Sequence, residues 1–265
     1  MISRWSRALG LDWEVFYTGL KGLRRFWTDY RQIVALNIAA GRPWKIGADY
    51  PCLHDFYGPA GVARGHYFHQ DLYVAQKIFQ KGPVRHVDFG SRIDGFVAQV
   101  ASFREIEVLD IRALLQRIPN VVFHRCDLLN VPPKFHGYCD SLSCLHVLEH
   151  IGLGRYGDQI DIHGHKIALR NLAEILKPGG TLYLSAPFGV ERIEYNAHRI
   201  FHLATIRELV EQSFKIVEFA MVDDEGELRK NVDLQLLFVR PIIIGLPWQS
   251  SNWESPTSLQ NSPAR

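Results

Sequence analysis

From residue 84 the chain alternates short apolar runs of strand length with longer segments whose apolar residues recur at helical spacing. VRHVDF (84–89), EIEVLD (105–110), NVVFH (120–124), DSLSCL (140–145) and TLYLSA (181–186) are rich in branched or aromatic residues and predict strands. Between the last two lies HKIALRNLAEILKPGG, where Ile167, Ala168, Leu172, Ile175 and Leu176 share one helical face. Lys177 and the Pro178-Gly179-Gly180 turn are expected to end that helix. Strands alternating with helices predict an α/β fold with a doubly wound, Rossmann-like parallel sheet covered on both faces. A later segment, FKIVEFAMVDDEGELRKNVDLQLLFVRPIII (214–244), reads as two strands joined across a polar turn, a hairpin closing one sheet edge.

The flanks have a different pattern. Residues 1–50 carry eight Lys or Arg against four acids, interleaved with Trp5, Trp13, Phe16, Tyr17, Phe26, Trp27 and Tyr30. This predicts a basic, aromatic, helical extension. It is read either as an arm packed on the domain with its charges in water, or as a peripheral contact with an anionic membrane or a partner. Residues 247–265 hold little that can pack and predict a disordered tail. The expected division is an arm and lid segment over 1–80, a sheet domain over 81–246, and the tail.

Composition narrows the partners. The 265 residues are 47% hydrophobic and 22% charged with a net charge of +2, which suits a globular protein and argues against a nucleic-acid ligand. Cys52, Cys126, Cys139 and Cys144 form no C-x-x-C pair, and the N-terminus lacks an uninterrupted apolar core for a secretory signal. The longest apolar runs, 33–40 and 236–245, are too short to span a bilayer, so a cytoplasmic setting is expected. Oligomeric state is not legible.

In a doubly wound sheet, ligands bind outside the carboxyl ends of the strands where strand order reverses. The turn after the first strand reads HVDFGSRIDGF: Asp88 at the strand end, then Gly90, Ser91, Arg92, Asp94 and Gly95. Gly90 permits a tight turn, and Gly95 is expected to relieve packing as a helix begins. The second strand ends in Asp110, near the spacing at which a carboxylate meets ribose hydroxyls, and the third is followed by Asp127. So many acids on one rim disfavour a pyrophosphate and suit a cationic, phosphate-free nucleoside. S-adenosylmethionine matches, with Arg92 as counter-ion for its carboxylate.

These residues carry a resemblance. From about residue 50 the chain resembles class I S-adenosylmethionine-dependent methyltransferases, and more narrowly a domain family of unknown function, DUF268. The narrower likeness rests on GHYFHQDLYVAQKIF, DFGSRIDGF, LHVLEHIGLGRYGD, LKPGGTLYLSAPFG and NAHRIF. It implies a seven-stranded sheet with the last strand antiparallel. It also implies a cofactor site of Asp88, Gly90, Ser91, Arg92, Asp94, Asp110, Ile111, Asp127, Leu128 and Ser143, with Asp110 on the ribose and Asp127 near the adenine amine. Asp140 and its strand match the motif beside the transferred methyl group. The superfamily has glycines where Arg92 and Asp94 stand, so either these bind the amino-acid end of the cofactor or cofactor binding is weakened or lost.

HVLEH places His146, Glu149 and His150 in an H-x-x-E-H spacing, the signature of one class of zinc peptidase. That chemistry needs a long helix, whereas here the motif follows a strand and meets Gly152 and Gly154, so no metal is expected. The remaining readings are histidines that pack under the loop, or an acceptor-facing loop. In the latter, His146 is the first candidate base and His150, oriented by Glu149, the second. NAHRIF supplies His198 and Arg199, the arginine either clamping an anionic acceptor or forming a loop salt bridge. Tyr67 and Gln70, ahead of the first strand, are candidate lid contacts to substrate. The function expected is methyl transfer to a small-molecule or glycan acceptor at oxygen. The alternatives are a non-catalytic nucleoside- or partner-binding domain of the same fold and, behind it, a zinc hydrolase.

Overall fold

The structure, a computed structural model, describes residue 6, residues 9–58, 60, 61 and 63–232, and the backbone of 241–247. It divides into two compact units, Met1–Ala63 and Arg64–Arg265. The first is built on α1 (Trp13–Ala39), followed by a 3₁₀ turn, Asp55–Tyr57. Glycine lets the backbone of Leu53 lie against this helix, since a Cβ on Gly22 would stand 2.1 Å from the Leu53 carbonyl oxygen. Trp13, Phe16, Leu20, Leu23 and Trp27 of α1 are exposed. No described helix is long and apolar enough to cross a membrane.

In the second unit α2 (His66–Lys81) precedes β1 (His86–Phe89). A π turn (Ile93–Val97) then runs into α3 (Ala98–Ala101). Next come β2 (Ile106–Asp110), β3 (Val121–Arg125), β4 (Cys139–Leu145), α4 (Gly164–Ile175) and β5 (Leu176–Ser185). A small ribbon of β6 (Arg192–Glu194) and β7 (His198–Ile200) leads to α5 (Leu203–Glu211). The chain then forms β8 (Glu218–Val222), β9 (Leu228–Arg229) and β10 (Pro241–Pro247). Each of the five expected strands is present, and α4 buries Leu169 and Ala173 together with Ala168, Leu172 and Ile175. Helix α2, grouped with the arm by sequence, belongs to the sheet unit. The expected tail, apart from the backbone of Pro247, lies outside the described residues.

The sheet runs β3-β2-β1-β4-β5-β10-β8-β9. Its first five strands are parallel, and β10 is antiparallel to both neighbours. Eight strands replace the expected seven because the polar turn of the terminal hairpin contributes the two-residue β9 beside β8. The expected hairpin does close one sheet edge, with β10 inserted between β5 and β8. Strand order reverses between β1 and β4, so the carboxyl ends of these two strands border the crevice.

Side-chain alternation explains what each face holds. Val87, Phe89, Leu142, Cys144, Leu182 and Leu184 enter one apolar cluster with α4 and α5. The residues between them, His86, Asp88, Ser141, Ser143, Thr181 and Ser185, are buried on the other face under α2, whose Tyr73, Val74 and Ile78 supply the apolar cover. The register His86↔Ser141 and Asp88↔Ser143 sets this polar stripe side by side.

Helix α2 also docks on the turn after β1. Asp71 accepts a hydrogen bond from the Gln70 amide (3.0 Å) and from the Phe96 backbone, and burial raises its pKa. A Cβ on Gly95 would lie 2.6 Å from Asp71 Oδ2, which is the reason a glycine stands there. Gly95→Ala should therefore cost about 2 kcal/mol in urea unfolding. Much of that cost should vanish in an Asp71→Ala background; an equal cost in both backgrounds would show that the carboxylate is not the obstacle.

Candidate functional site

At the end of β1, Gly90 adopts φ +72° and donates its N–H to the Leu109 carbonyl (2.9 Å). Beneath it Asp88 is fully buried and accepts from the Ser91 N–H (2.9 Å), the Ser91 hydroxyl (2.6 Å) and the Ser143 hydroxyl. The Ser91 oxygen in turn accepts from the Leu145 N–H (3.2 Å) at the end of β4. Asp88, Ser91 and Ser143 thus build the turn and do not face the cleft, which corrects their expected direct role toward a cofactor. Desolvation outweighs these hydrogen bonds and lifts the Asp88 pKa to about 6. Measured from 3.8, that favours its protonated form by about 3 kcal/mol.

Asp110, at the end of β2, is engaged by one residue. Arg112 donates its backbone N–H (2.8 Å) and Nε (3.0 Å) to Oδ1, and Nη2 (2.6 Å) to Oδ2. Asp127, after β3, accepts the Leu129 N–H (2.9 Å), and Leu128 beside it is buried. Asp140 lies at the amino end of β4, accepting the N–H groups of Val84 (2.8 Å) and Arg85 (2.7 Å). That is the opposite edge of the sheet, so it is not beside the site as the motif match implied.

The loop after β4 carries the histidines. His146 sits at φ +53°, its N–H directed to the Ser185 hydroxyl (3.0 Å), which donates to Gln70 Oε1. Gln70 is therefore a buried brace, not a lid contact. His146 Nδ1 meets Glu149 Oε1 at 2.8 Å, and its ring packs 5.1 Å from that of Tyr67. His150 Nδ1 donates to the Ala197 carbonyl (2.6 Å), which leaves Nε2 as the basic nitrogen, 3.9 Å from Glu149 Oε1. Burial lowers the His150 pKa, so the ring is neutral at pH 7.

Asp158 shapes the loop by accepting the N–H groups of Gly152 (2.6 Å), Gly154 (3.3 Å) and Tyr156 (3.3 Å). Arg199 is buried and donates to the carbonyls of Ile151 (2.5 Å), Asp161 (3.1 Å) and Ile162 (3.3 Å). It fastens the loop from behind and forms neither of its two expected contacts, acceptor clamp or salt bridge. His198 lies on β7 with its ring 6.3 Å from that of His150, outside the cleft lining. The H-x-x-E-H residues occupy turns instead of one helical face, and both Nδ1 atoms are engaged. Among the described residues no three of His, Cys, Asp or Glu are grouped to hold a metal ion.

A cleft of about 260 Å³ gathers Tyr67, Gly90, Arg92, Asp110, Ile111, Asp127, Leu128, His146 and His150. Arg92 and Asp94 are exposed and paired with each other (2.8 Å), the guanidinium 5.4 Å from the Tyr67 ring centre. Arg112, Arg155 and Tyr156 also line the cleft and were not expected. Arg112 could have been suspected from its place two residues past Asp110. Tyr156 and Arg155 lie in the glycine-flanked GLGRYGD run, whose fold back over the strand ends depends on Asp158. A wider depression of about 610 Å³ in the N-terminal unit, lined by residues of α1 and 46–56, has no such set of strand-end acids.

The buried stripe behind the cleft makes a pH prediction. His86 bonds Ser141 through Nδ1 (2.8 Å) and Ser143 through Nε2 (3.3 Å), and burial lowers its pKa from 6.5 to about 3. Its contribution to stability is complete above 6.5 and is lost as pH falls toward 3. Asp88, raised from 3.8 to about 6, runs the other way: its burial costs most above 6, and that cost disappears as pH falls to 3.8. Each titration is worth about 1.4 kcal/mol per pH unit, so between 6 and 3.8 they oppose one another. His86→Gln removes only the first. Its stability relative to the parent, from urea unfolding, should rise as pH is lowered from about 6.5 to 4; a constant difference would contradict the assignment.

The sequence model of the family described as "Caenorhabditis protein of unknown function, DUF268" matches residues 100–235, just over half of the chain. No curated protein matches the sequence. Among solved structures, the [4+2]-cyclase SpnF is similar at 18% identity, over 72% of each chain, with a TM-score of 0.48. The N-methyltransferase NodS from Bradyrhizobium japonicum WM9 in complex with S-adenosyl-L-homocysteine is similar at 13% identity, covering 71% of this chain and 89% of that one, TM-score 0.47. The Burkholderia thailandensis 1,6-didemethyltoxoflavin-N1-methyltransferase is similar at 13% identity, over 86% and 90% of the two chains, TM-score 0.46.

Proposed function

Given that the chain belongs to the DUF268 family, we propose that it is an S-adenosylmethionine-dependent methyltransferase acting on a small-molecule or glycan acceptor at oxygen. One observation carries the reading. The acids ending β2 and following β3 and the left-handed Gly90 turn border one cleft at the reversal of strand order, with two histidines on the facing loop.

The residues suit the cofactor's charges. Asp110 would take the ribose hydroxyls, Asp127 the adenine amine with Ile111 and Leu128 beside the ring, and Arg92 the carboxylate. Gly90 turns the chain at φ +72° beside the cleft, and the missing Cβ leaves room for the Val147 side chain, which a Cβ there would meet at 3.0 Å. Bound, the cofactor supplies an electrophilic methyl group on sulfur.

The rest falls to the loop after β4. Its tasks are to align the acceptor and to remove a proton. His146, tethered by Glu149 through Nδ1, offers Nε2 as the base, and the carboxylate steadies the imidazolium that results. His150 is the second base, held neutral by burial with its tautomer set by Ala197.

A non-catalytic nucleoside-binding domain is the second reading, favoured by the Arg92–Asp94 and Arg112–Asp110 pairs that already neutralise two of these groups. Calorimetry with S-adenosylhomocysteine tests both. Binding that Asp110→Ala weakens about tenfold or more supports the cofactor site; no binding at millimolar ligand sinks it. In cell extract with labelled S-adenosylmethionine, His146→Ala should cut methyl incorporation roughly 10²-fold or more while S-adenosylhomocysteine affinity holds. Binding without incorporation by the parent chain would favour the second reading.

A further inference from the structure

Arg112 engages both oxygens of the Asp110 carboxylate, and a ribose diol needs those same two oxygens. A carboxylate offers about four lone-pair sites. The Arg112 side chain covers Oδ1 through Nε (3.0 Å) and Oδ2 through Nη2 (2.6 Å), while its backbone N–H holds Oδ1 (2.8 Å). The backbone bond can persist when a ribose arrives; the side-chain bonds cannot. Arg112 is half-exposed, so its guanidinium can swing without opening the core.

What the released guanidinium meets is already in place. It lies 4.5 Å from the centre of the Tyr156 ring, and the Arg155 guanidinium lies 5.2 Å from that same centre. Arg155 donates to the Ala197 carbonyl (2.9 Å) and has no carboxylate partner among the described residues. Tyr156 is anchored through its N–H on Asp158, so both cations share a fixed platform lining the cleft. With the nucleoside absent, Arg112 is neutralised. With it bound, two guanidiniums without carboxylates border the space left for the acceptor, an arrangement suited to an oxyanion.

We propose that Arg112 and the nucleoside's ribose exchange at Asp110, and that the released guanidinium joins Arg155 at Tyr156 to bind an oxyanion of the acceptor, phosphate or carboxylate. This rests on the cofactor reading above and adds the acceptor's chemical class and an order of binding, nucleoside first. The arginine side chain is both the competitor that the nucleoside displaces and the contact that the acceptor gains.

The test is calorimetry on the full chain at constant ionic strength, with inorganic phosphate and acetate as separate probes, each with and without saturating S-adenosylhomocysteine. One of the two oxyanions should bind about tenfold more tightly in its presence, and which one does identifies the acceptor's group. Arg112→Ala should abolish that dependence while leaving S-adenosylhomocysteine affinity equal or higher. Arg155→Ala should weaken the oxyanion alone. The inference is overturned if S-adenosylhomocysteine binds the parent chain but changes neither oxyanion's affinity, or if Arg112→Ala weakens it as Asp110→Ala does. Failure of S-adenosylhomocysteine to bind either the parent or Arg112→Ala would overturn the cofactor reading itself, and this inference with it.

Discussion

The cleft depends on a carboxyl group that never touches it. Asp88, fully buried at the end of β1, takes two hydrogen bonds from Ser91 and one from Ser143, tying the turn after β1 to the neighbouring strand β4. A buried carboxylate without partners is among the most costly features a fold can hold, so the geometry of those three donors is dictated, not optional. Because Ser91 also receives the Leu145 N–H, the ends of the two strands that flank the crevice are locked to one another. Gly90 then turns the chain in a left-handed conformation, with Val147 packed where a Cβ would stand.

From this tie the rest of the site follows. The strand ends next to β1 deliver Asp110 and, just beyond, Asp127 to one rim. Past β4 the chain cannot form a helix at once, and its turns are held by a second buried carboxylate, Asp158, and by the buried guanidinium of Arg199 on three carbonyls. Those two charged groups direct their hydrogen bonds to backbone, which is what gives a glycine-rich loop one conformation. The histidines inherit that order: His146 is fixed by Glu149, His150 by Ala197.

Much of this was legible beforehand. The short apolar runs rich in branched and aromatic residues marked the five parallel strands, and the strand-end rule placed Gly90, Asp110, Asp127 and His146 on one edge, because both signals are local in sequence. Four features were not. Asp88 and Ser143 looked like site residues since their burial depends on the register between β1 and β4, which no single strand reveals. Arg199 looked like an acceptor clamp because a loop arginine usually keeps its guanidinium in water, and only the fold-back of 146–163 buries it. Asp140 was assigned by motif beside the site, whereas it lies at the amino end of β4 and accepts the N–H groups just ahead of β1. Arg112 and Tyr156 were overlooked because their meeting joins segments more than forty residues apart.

A nucleoside held at the carboxyl edge of β1, β2 and β4, over the turn that Asp88 builds, is what the proposed function requires. Hydrogen–deuterium exchange of the full chain with and without S-adenosylhomocysteine tests it most directly. Ligand should add protection in the backbone of residues 89–97, 109–113 and 145–158, with little change at the opposite edge around residues 83–86 and 136–140. Protection that spared the first three segments, or that gathered instead on residues 22–56, would contradict it.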